Sequence, residues 1–420
     1  MQEIRSSIVQ RFPALASRDF ILFLIGQFIS VIGTWMQNTA QPYLAYRLSG
    51  RPLDLGLIGF ASTLPTLLLA LPAGVLVERW DKRRTVIIFQ AIMSLPAFGL
   101  AALTISGHIQ IWHIGALALI FGTASAVEIT ARQAMLIELA GREALPSAIA
   151  LQTTAFNVGR VVGPLVAAWL LTSTGTEGSV FLVNGGSFLF VIAGLLIART
   201  RYKVPREAEA RKGLALEFRE RLAYIRRNGV VASIILMAAL IGFFGFPLVQ
   251  QIPALARDVL KTTSDTEVIV AARTSHLYAA QGAGALAAAL LAAYLSSSRN
   301  KGGLVALGQV AFILPLIALG YVSNLNISLF LLILIGWGTV TQLVSMNTLI
   351  QVNVPNGLRG RVFSVYLWAL QGVAPFGSLL IGWIAQNWGV PMAALIGGLV
   401  SLISIGSLHL ISPSVRRAQA

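Results

Sequence analysis

One pattern recurs along the chain: a run of about twenty mostly apolar residues, then a short break holding Pro, Gly or charged residues. Twelve such runs stand at about 20–46, 54–77, 85–106, 111–134, 147–172, 179–198, 229–255, 270–295, 303–322, 326–349, 361–386 and 391–411. Each is long enough to cross roughly 30 Å of hydrocarbon as a helix, and a helix satisfies its own backbone where no water can do so. The spacing therefore predicts an all-α membrane protein of twelve transmembrane helices. The first run, Phe20 to about Tyr46, is too long for the apolar region of a cleaved signal and lacks a small-residue cleavage site, so it reads as a retained span. The longest polar interruption, 199–228, separates two six-span halves, 1–198 and 229–420. Within this linker Leu214, Phe218, Leu222 and Ile225 share one helical face, as in an amphipathic helix lying on the bilayer surface; a regulatory or partner-binding use of that face is the alternative.

Composition sharpens this picture. Hydrophobic residues make up 56% of the chain, charged residues only 11%, and the mean hydropathy is +0.77, so most of the surface faces lipid rather than water. The net charge of +15 would suggest nucleic acid in a soluble protein. Here the Lys and Arg residues fall between apolar runs, a distribution that reports topology, and no nucleic-acid partner is expected. On alternate sides of the twelve-span arrangement lie 25 and four of the 31 basic residues, with Arg160 and Arg273 inside or at the edge of runs. The richer side is cytoplasmic by the positive-inside rule, and it carries both termini. The chain has no cysteine, which removes disulfides, thiolate metal sites and cysteine nucleophiles, and its four histidines are scattered. No phosphate-binding glycine loop is present. Neither a cofactor nor a metal is expected.

The two halves carry a faint repeat. Arg142-Glu-Ala-Leu-Pro-Ser-Ala ahead of the fifth run is similar to Asn356-Gly-Leu-Arg-Gly-Arg-Val ahead of the eleventh, and each leads to Gly and Pro within its span, at Gly163-Pro164 and at Pro375 with Gly377. Between runs two and three stands Gly74-Val-Leu-Val-Glu78-Arg79-Trp80-Asp81-Lys82-Arg83-Arg84. It resembles GxxxDRxGRR, the signature loop of the major facilitator superfamily, with Glu78 for Asp and Asp81 where a second Gly is usual. That resemblance implies the major facilitator fold, two pseudo-symmetric six-helix bundles that alternate access to a cavity near the bilayer midplane. In physical terms Gly74 permits close helix packing, and the acid beside Arg79 and Arg83 forms a charge cluster able to hold one gate state. An ordinary basic loop explains the bases but not the spacing of Gly74, Glu78 and Arg79.

Run five reads Asn157-Val-Gly159-Arg160-Val-Val-Gly163-Pro164-Leu-Val-Ala167-Ala168, which resembles the GxxxGPxxGG motif of exporters in the same superfamily. Small residues at 159, 163 and 167 share a face for close approach, and Pro164 removes a backbone bond; generic membrane-helix packing is the plainer account. Together with Thr130 to Gln133, Ala150 to Gln152, Gly33-Thr-Trp35-Met36-Gln37 and the stretch from Leu55 to Leu68, the motif resembles the transmembrane secretion effectors, the subgroup that contains the bacterial enterobactin exporter.

Buried polar residues supply the candidate chemistry. Arg160 lies about 20 Å into its span, near the bilayer centre, where a charge must be paired or face a cavity. Guanidinium does not release its proton, so Arg160 either binds an anionic group of the substrate, pairs with a titrating acid or is permanently paired as part of the framework. Glu128 is the carboxylate well inside a run; it is either a proton-coupling site or an i,i+4 partner of Arg132. Gln27, Ser30, Thr34, Gln37 and Gln41 fall on one face of the first span, with Thr153, Asn157 and Arg160 on the fifth and Thr341, Gln342 and Ser345 on the tenth. Such stripes serve interhelical hydrogen bonds or substrate contact. Asp19 and Asp54 suit helix N-termini, Arg273 an interfacial position and His276 a satisfied imidazole, with one of these two facing the cavity as the alternative.

The expected function is secondary active, proton-coupled efflux of a small molecule by a monomeric protein of the bacterial inner membrane; siderophore or drug-like cargo follows from the resemblance alone. The candidate substrate contacts are Arg160, Asn157, Gln27, Thr34, Gln37 and Gln41. A lysophospholipid flippase or importer on the same fold is the rival, and a non-transporting sensor the reading from another class. An enzyme would need clustered acids or histidines, which the chain lacks.

Overall fold

The computed structural model describes residues 12–198, 224–294 and 300–411, apart from the side chains at 70, 71, 75, 78, 293, 356, 357, 360 and 361. Among the described residues all regular structure is helical. Eight spans are continuous helices close to the runs read from the sequence: α1 (Arg18–Ser49), α2 (Pro52–Arg79), α3 (Lys82–Ile105), α4 (Ile111–Ala140), α5 (Leu145–Thr174), α6 (Glu177–Ile197), α9 (Lys301–Leu319) and α10 (Leu325–Asn353). Helix α8 (Glu267–Tyr294) is less apolar, carrying Glu267, Arg273 and His276 among many Ala and Gly. The last stretch turns at Gly389, whose φ of 84° lies in the left-handed region open to glycine. This turn separates α11 (Asn356–Gly372 continuing over 374–388) from α12 (390–411).

The seventh span, α7, is broken. It runs as α-helix over Gly229–Leu240, widens to π-helix over Ile241–Gly245, resumes over Phe246–Val249 and Ile252–Ala254, and widens again over Leu255–Val259. Pro247 and Pro253 each withdraw an N–H from the ladder, and Gly242 and Gly245 weaken the turn before them, so the break is where those residues demand it. Elsewhere side chains close the helix ends. The Asp81 carboxylate accepts from Arg84 N at 2.8 Å to start α3, and Asn228, Asn300 and Asn324 cap α7, α9 and α10 in the same way.

Packing divides the chain into two units, Met1–Leu48 with Leu64–Arg206 and Ser49–Thr63 with Glu207–Ala420. In the first unit α1 lies between α5 and α6. A Cβ placed on Gly26 would sit 2.6 Å from Phe190 O, and one on Gly194 would sit 2.8 Å from Leu22 O. On the other side a Cβ on Gly159 would meet Val31 Cγ1 at 2.6 Å, and one on Gly163 would meet Trp35 Cβ at 2.5 Å. Lipid tails are as apolar as the helix faces, so close backbone approach and van der Waals contact hold these helices together. Charged groups tie the helix ends: Arg47 grips Glu177 with two bonds of 2.7 and 3.0 Å, Lys82 meets Glu138 at 2.8 Å, and Arg83 donates to Leu195 O and Leu196 O at 2.7 and 3.1 Å.

The second unit uses the same device. Gly284 and Gly336 lie against the backbone of Ile333 and Gln281 at the α8–α10 contact, and Gly308 and Gly338 bring α9 against α10. The first turns of α2 belong to this unit: Gly56 abuts Ser378 and Gly382, Gln251 Nε2 donates to Pro52 O at 3.3 Å, and Phe60 stands edge-on to Phe376. The amphipathic stretch Leu214–Ile225 lies outside the described residues except at 224 and 225. There Ile225 is buried with Val231 and Ile234, and Tyr224 Oη donates to Asn353 O at 3.3 Å.

The glycine contacts give a direct test of helix packing. Gly163→Leu should destabilise the purified protein by about 1–3 kcal/mol, lowering its thermal midpoint, whereas Gly115→Leu, whose added Cβ meets nothing within 4 Å, should leave the midpoint near wild type.

Candidate functional site

The approach of α5 to α1 sets up the polar centre of the first unit. With Gly163 against Trp35, the helix turn above carries Arg160 over the Trp35 ring, its guanidinium carbon 5.3 Å from the ring centroid. Phe156 stands edge-on to the same indole at 5.5 Å. The indole face attracts the cation, an interaction worth about 2 kcal/mol when desolvated, but it satisfies no N–H. Arg160 Nε is buried and has no hydrogen-bond partner among the described residues, and no described carboxylate pairs with the guanidinium.

The α1 stripe separates into used and unused groups. Gln37 Nε2 donates to Gln41 Oε1 at 3.0 Å, and Gln37 Oε1 accepts from Asn184 Nδ2 on α6 at 2.7 Å. Ser187 completes that cluster by donating to Asn184 Oδ1 at 3.2 Å. Thr34 and Asn157 turn back onto their own helices, donating to Ser30 O and Thr153 O at 2.9 Å each. Gln27 is different. It is buried, and its Oε1 has no partner among the described residues. Thus Arg160 and Gln27 keep buried atoms without a partner among the described residues, while Thr34, Gln37, Gln41 and Asn157 each make a hydrogen bond within α1 or α5 or, for Gln37, also to α6. In the second unit Gln342 of α10, fully buried, has neither amide atom bonded among the described residues.

Glu128 lies in a second cluster of the first unit. It is 3% exposed and accepts from Gln90 Nε2 on α3 at 2.8 Å and from Arg132 Nε at 3.1 Å. The i,i+4 pair with Arg132 is therefore made, and it sits inside the helix packing rather than at a wet surface. Asn184, Ser187, Gln90 and Trp35 are the residues that the stripe argument passed over. Each was marked by a polar or indole side chain interrupting an apolar run, but the partners of Asn184, Gln90 and Trp35 lie on another helix.

The α2–α3 loop departs from expectation at one residue. Among the described residues a Cβ on Gly74 would meet nothing within 4 Å, so they show no close helix approach there. Asp81 instead starts α3 as its N-cap, and Arg83 closes the carbonyl end of α6. The side chain of Glu78 lies outside the described residues, and Arg79 ends α2 on the surface. Arg273 also differs from its reading as an interfacial side chain. It is 5% exposed and clamps the loop after α7, donating to Ala256 O and Asp265 Oδ2 at 2.8 Å each and to Asp265 Oδ1 at 2.6 Å. His276, read as a satisfied imidazole, is exposed. The Arg273 hydrogen bonds, helped by Thr262, hold the Asp265 carboxyl well below the usual carboxylate range against an opposing desolvation.

A family model described as transmembrane secretion effector matches residues 10–419. The enterobactin exporter EntS of Escherichia coli O81 (strain ED1a) is 25% identical over 408 residues, 96% of this chain and 93% of that protein. The uncharacterized MFS-type transporter YfiS of Bacillus subtilis (strain 168) is 24% identical over 419 residues, covering 96% and 95%. Among solved structures, the nucleoside transporter NupG superposes with a TM-score of 0.72 at 13% identity over 93% of this chain and 98% of that one. A bacterial homolog of the human lysosomal transporter Spinster gives 0.68 at 15%, covering 95% of each. At such identities these structures establish the fold, the twelve-helix arrangement of major facilitator transporters.

The Asp265 clamp carries a pH signature. A carboxyl whose folded pKa is depressed stabilises the folded state fully above its unfolded pKa of about 3.9 and loses that contribution as pH falls below it. Thermal stability should therefore show no change from this pair between about pH 8 and 5. Asp265→Asn, which leaves Arg273 buried without its counter-charge, should cost about 3 kcal/mol throughout that window, measured by thermal unfolding in detergent.

Proposed function

The chain belongs to the transmembrane secretion effector family of major facilitator transporters, and from that premise we propose that it exports a small molecule from the cytoplasm by proton-coupled alternating access. It is a multi-pass bacterial inner-membrane transporter whose substrate is a small molecule. The finer reading places both termini in the cytoplasm, on the strength of the 25-to-four division of basic residues. It also treats 1–198 and 229–420 as the two six-helix bundles, joined by 199–228.

The observation that carries the reading is Arg160, a buried cation stacked on Trp35 with an unspent Nε and no described carboxylate beside it. Such a charge favours an incoming anionic or strongly hydrogen-bond-accepting group, and its planar fork suits bidentate contact. Gln27 offers a second open contact. In this scheme Gln37, Gln41, Thr34 and Asn157 hold α1 and α5 in shape, and small residues at 159, 163 and 167 with Pro164 let α5 bend against α1. Glu128 is the proton carrier: protonation releases Arg132 and Gln90, deprotonation recaptures them, and the exchange biases one gate state over the other. The α2–α3 charge cluster around Glu78, Arg79, Asp81 and Arg83 holds the alternate state. A siderophore-like cargo is supported by the name of the Escherichia coli relative.

Everted membrane vesicles test the scheme. With an inward-acid pH gradient, wild-type vesicles should accumulate the siderophore, and a protonophore should abolish accumulation. Arg160→Ala should lower the rate tenfold or more, with Arg160→Lys intermediate. Glu128→Gln should keep substrate exchange but lose gradient-driven accumulation. Full transport by Arg160→Ala, or accumulation indifferent to the gradient, contradicts the scheme.

A further inference from the structure

Beside the polar stripe of α1 stands a residue that the stripe leaves out. Asn38 is exposed, although it lies five residues from the middle of the 20–46 run. That is about 7.5 Å along the helix axis, well inside a hydrocarbon layer about 30 Å thick. Its carboxamide makes no hydrogen bond among the described residues. A bare amide in lipid is costly, so a polar side chain at this depth turns to protein or to water.

The neighbours of α1 decide between lipid and water. Gly26 packs on Phe190 and Gly33 on Asn184 of α6, while Val31 and Trp35 meet Gly159 and Gly163 of α5. Ile25, Ile29 and Ile32 share a third side at helical spacing, and Ile25 is 55% exposed, as suits a face for lipid. Asn38 follows Ile29 by nine residues, about two and a half turns, and therefore stands on the opposite side. Thr34, four residues before it, and Gln41, three after, share that side.

The same side adjoins the buried cation. Trp35, whose indole seats Arg160 at 5.3 Å, is three residues before Asn38 and about 60° from it around the axis. Val31 meets Gly159 and Trp35 meets Gly163, so α1 and α5 run parallel and Asn38 lies about one turn beyond the Arg160 level.

We propose, resting on the export reading above, that Asn38 is a cargo-contacting residue on the same water-lined wall as Arg160. A molecule held by an anionic group at Arg160 presents a neutral hydroxyl or amide about one helical turn away, where the carboxamide both donates and accepts. The cargo class narrows to anions that carry such a group.

The chain contains no cysteine, so one introduced thiol reads its surroundings directly. In the purified full-length protein, Asn38→Cys should react with the anionic, water-soluble reagent 2-sulfonatoethyl methanethiosulfonate about tenfold faster than Ile25→Cys, whose thiol faces detergent. Relative to a free thiol in solution, this reagent should outpace its trimethylammonium counterpart about threefold, and adding Arg160→Gln should remove the preference. In everted vesicles Asn38→Leu should raise the KM for the siderophore about two- to tenfold, the worth of one neutral hydrogen bond, at an unchanged maximal rate. Asn38→Gln should stay near wild type. Labelling of Asn38→Cys no faster than that of Ile25→Cys, or without charge preference, overturns the shared wall. An unchanged KM in Asn38→Leu overturns the contact. Failure of wild-type vesicles to accumulate siderophore strikes the export reading instead, and the labelling, which needs no transport, still decides on Asn38.

Discussion

Close approach of α5 to α1 is the constraint on which the candidate site depends. Gly159 and Gly163 have no side chain to hold the helices apart, so α5 rests on Val31, Ile32 and the backbone beside Trp35. That contact fixes Arg160 above an indole in the middle of a hydrocarbon-spanning bundle. A guanidinium at this depth is tolerated only where protein or a cavity receives it. The ring gives it an electrostatic seat but no acceptor, and its Nε is left without a hydrogen-bond partner among the described residues. Gln37, Gln41, Asn184 and Ser187 form the contrasting case, a polar cluster of α1 and α6 whose members hydrogen-bond to one another.

Much of this order was legible in the chain because bilayer thickness sets helix length. The apolar runs matched the helices within a few residues at most ends, and the Gly159–Gly163 face was readable as a packing surface from its four-residue spacing. The place of Arg160 inside α5 was legible too, since a base inside an apolar run is rare. Other features depend on what lies across a helix interface. Glu128 reads equally as proton site or ion pair, and the donation from Gln90 of α3 becomes visible only across a helix interface. The first turns of α2 look like the start of an ordinary span, yet Gly56 meets the backbone of α11, which no local pattern announces. The break in α7 was marked by Pro247 and Pro253, but the paired π-turns were not. Arg273 resembled a snorkelling base because its counter-charge, Asp265, sits in a loop eight residues away.

The loop between α2 and α3 shows how a motif can outlast one of its physical reasons. The spacing of Gly74, Glu78 and Arg79 resembles the superfamily signature, while Gly74 makes no close contact among the described residues. Asp81, the residue that departs from the family pattern, has a structural task of its own in starting α3. Arg83 meanwhile ties the loop to the end of α6, so the segment is anchored within the first unit by backbone hydrogen bonds as well as by charge.

The account turns on whether the open side of Arg160 is an anion-recognition element, and equilibrium binding reads this without the complications of flux. Titration of the purified protein with an anionic siderophore and with its neutral, esterified analogue, monitored by calorimetry, should show at least tenfold preference for the anion, and Arg160→Gln should bind the two alike. Retention of the full preference in Arg160→Gln would contradict the central claim.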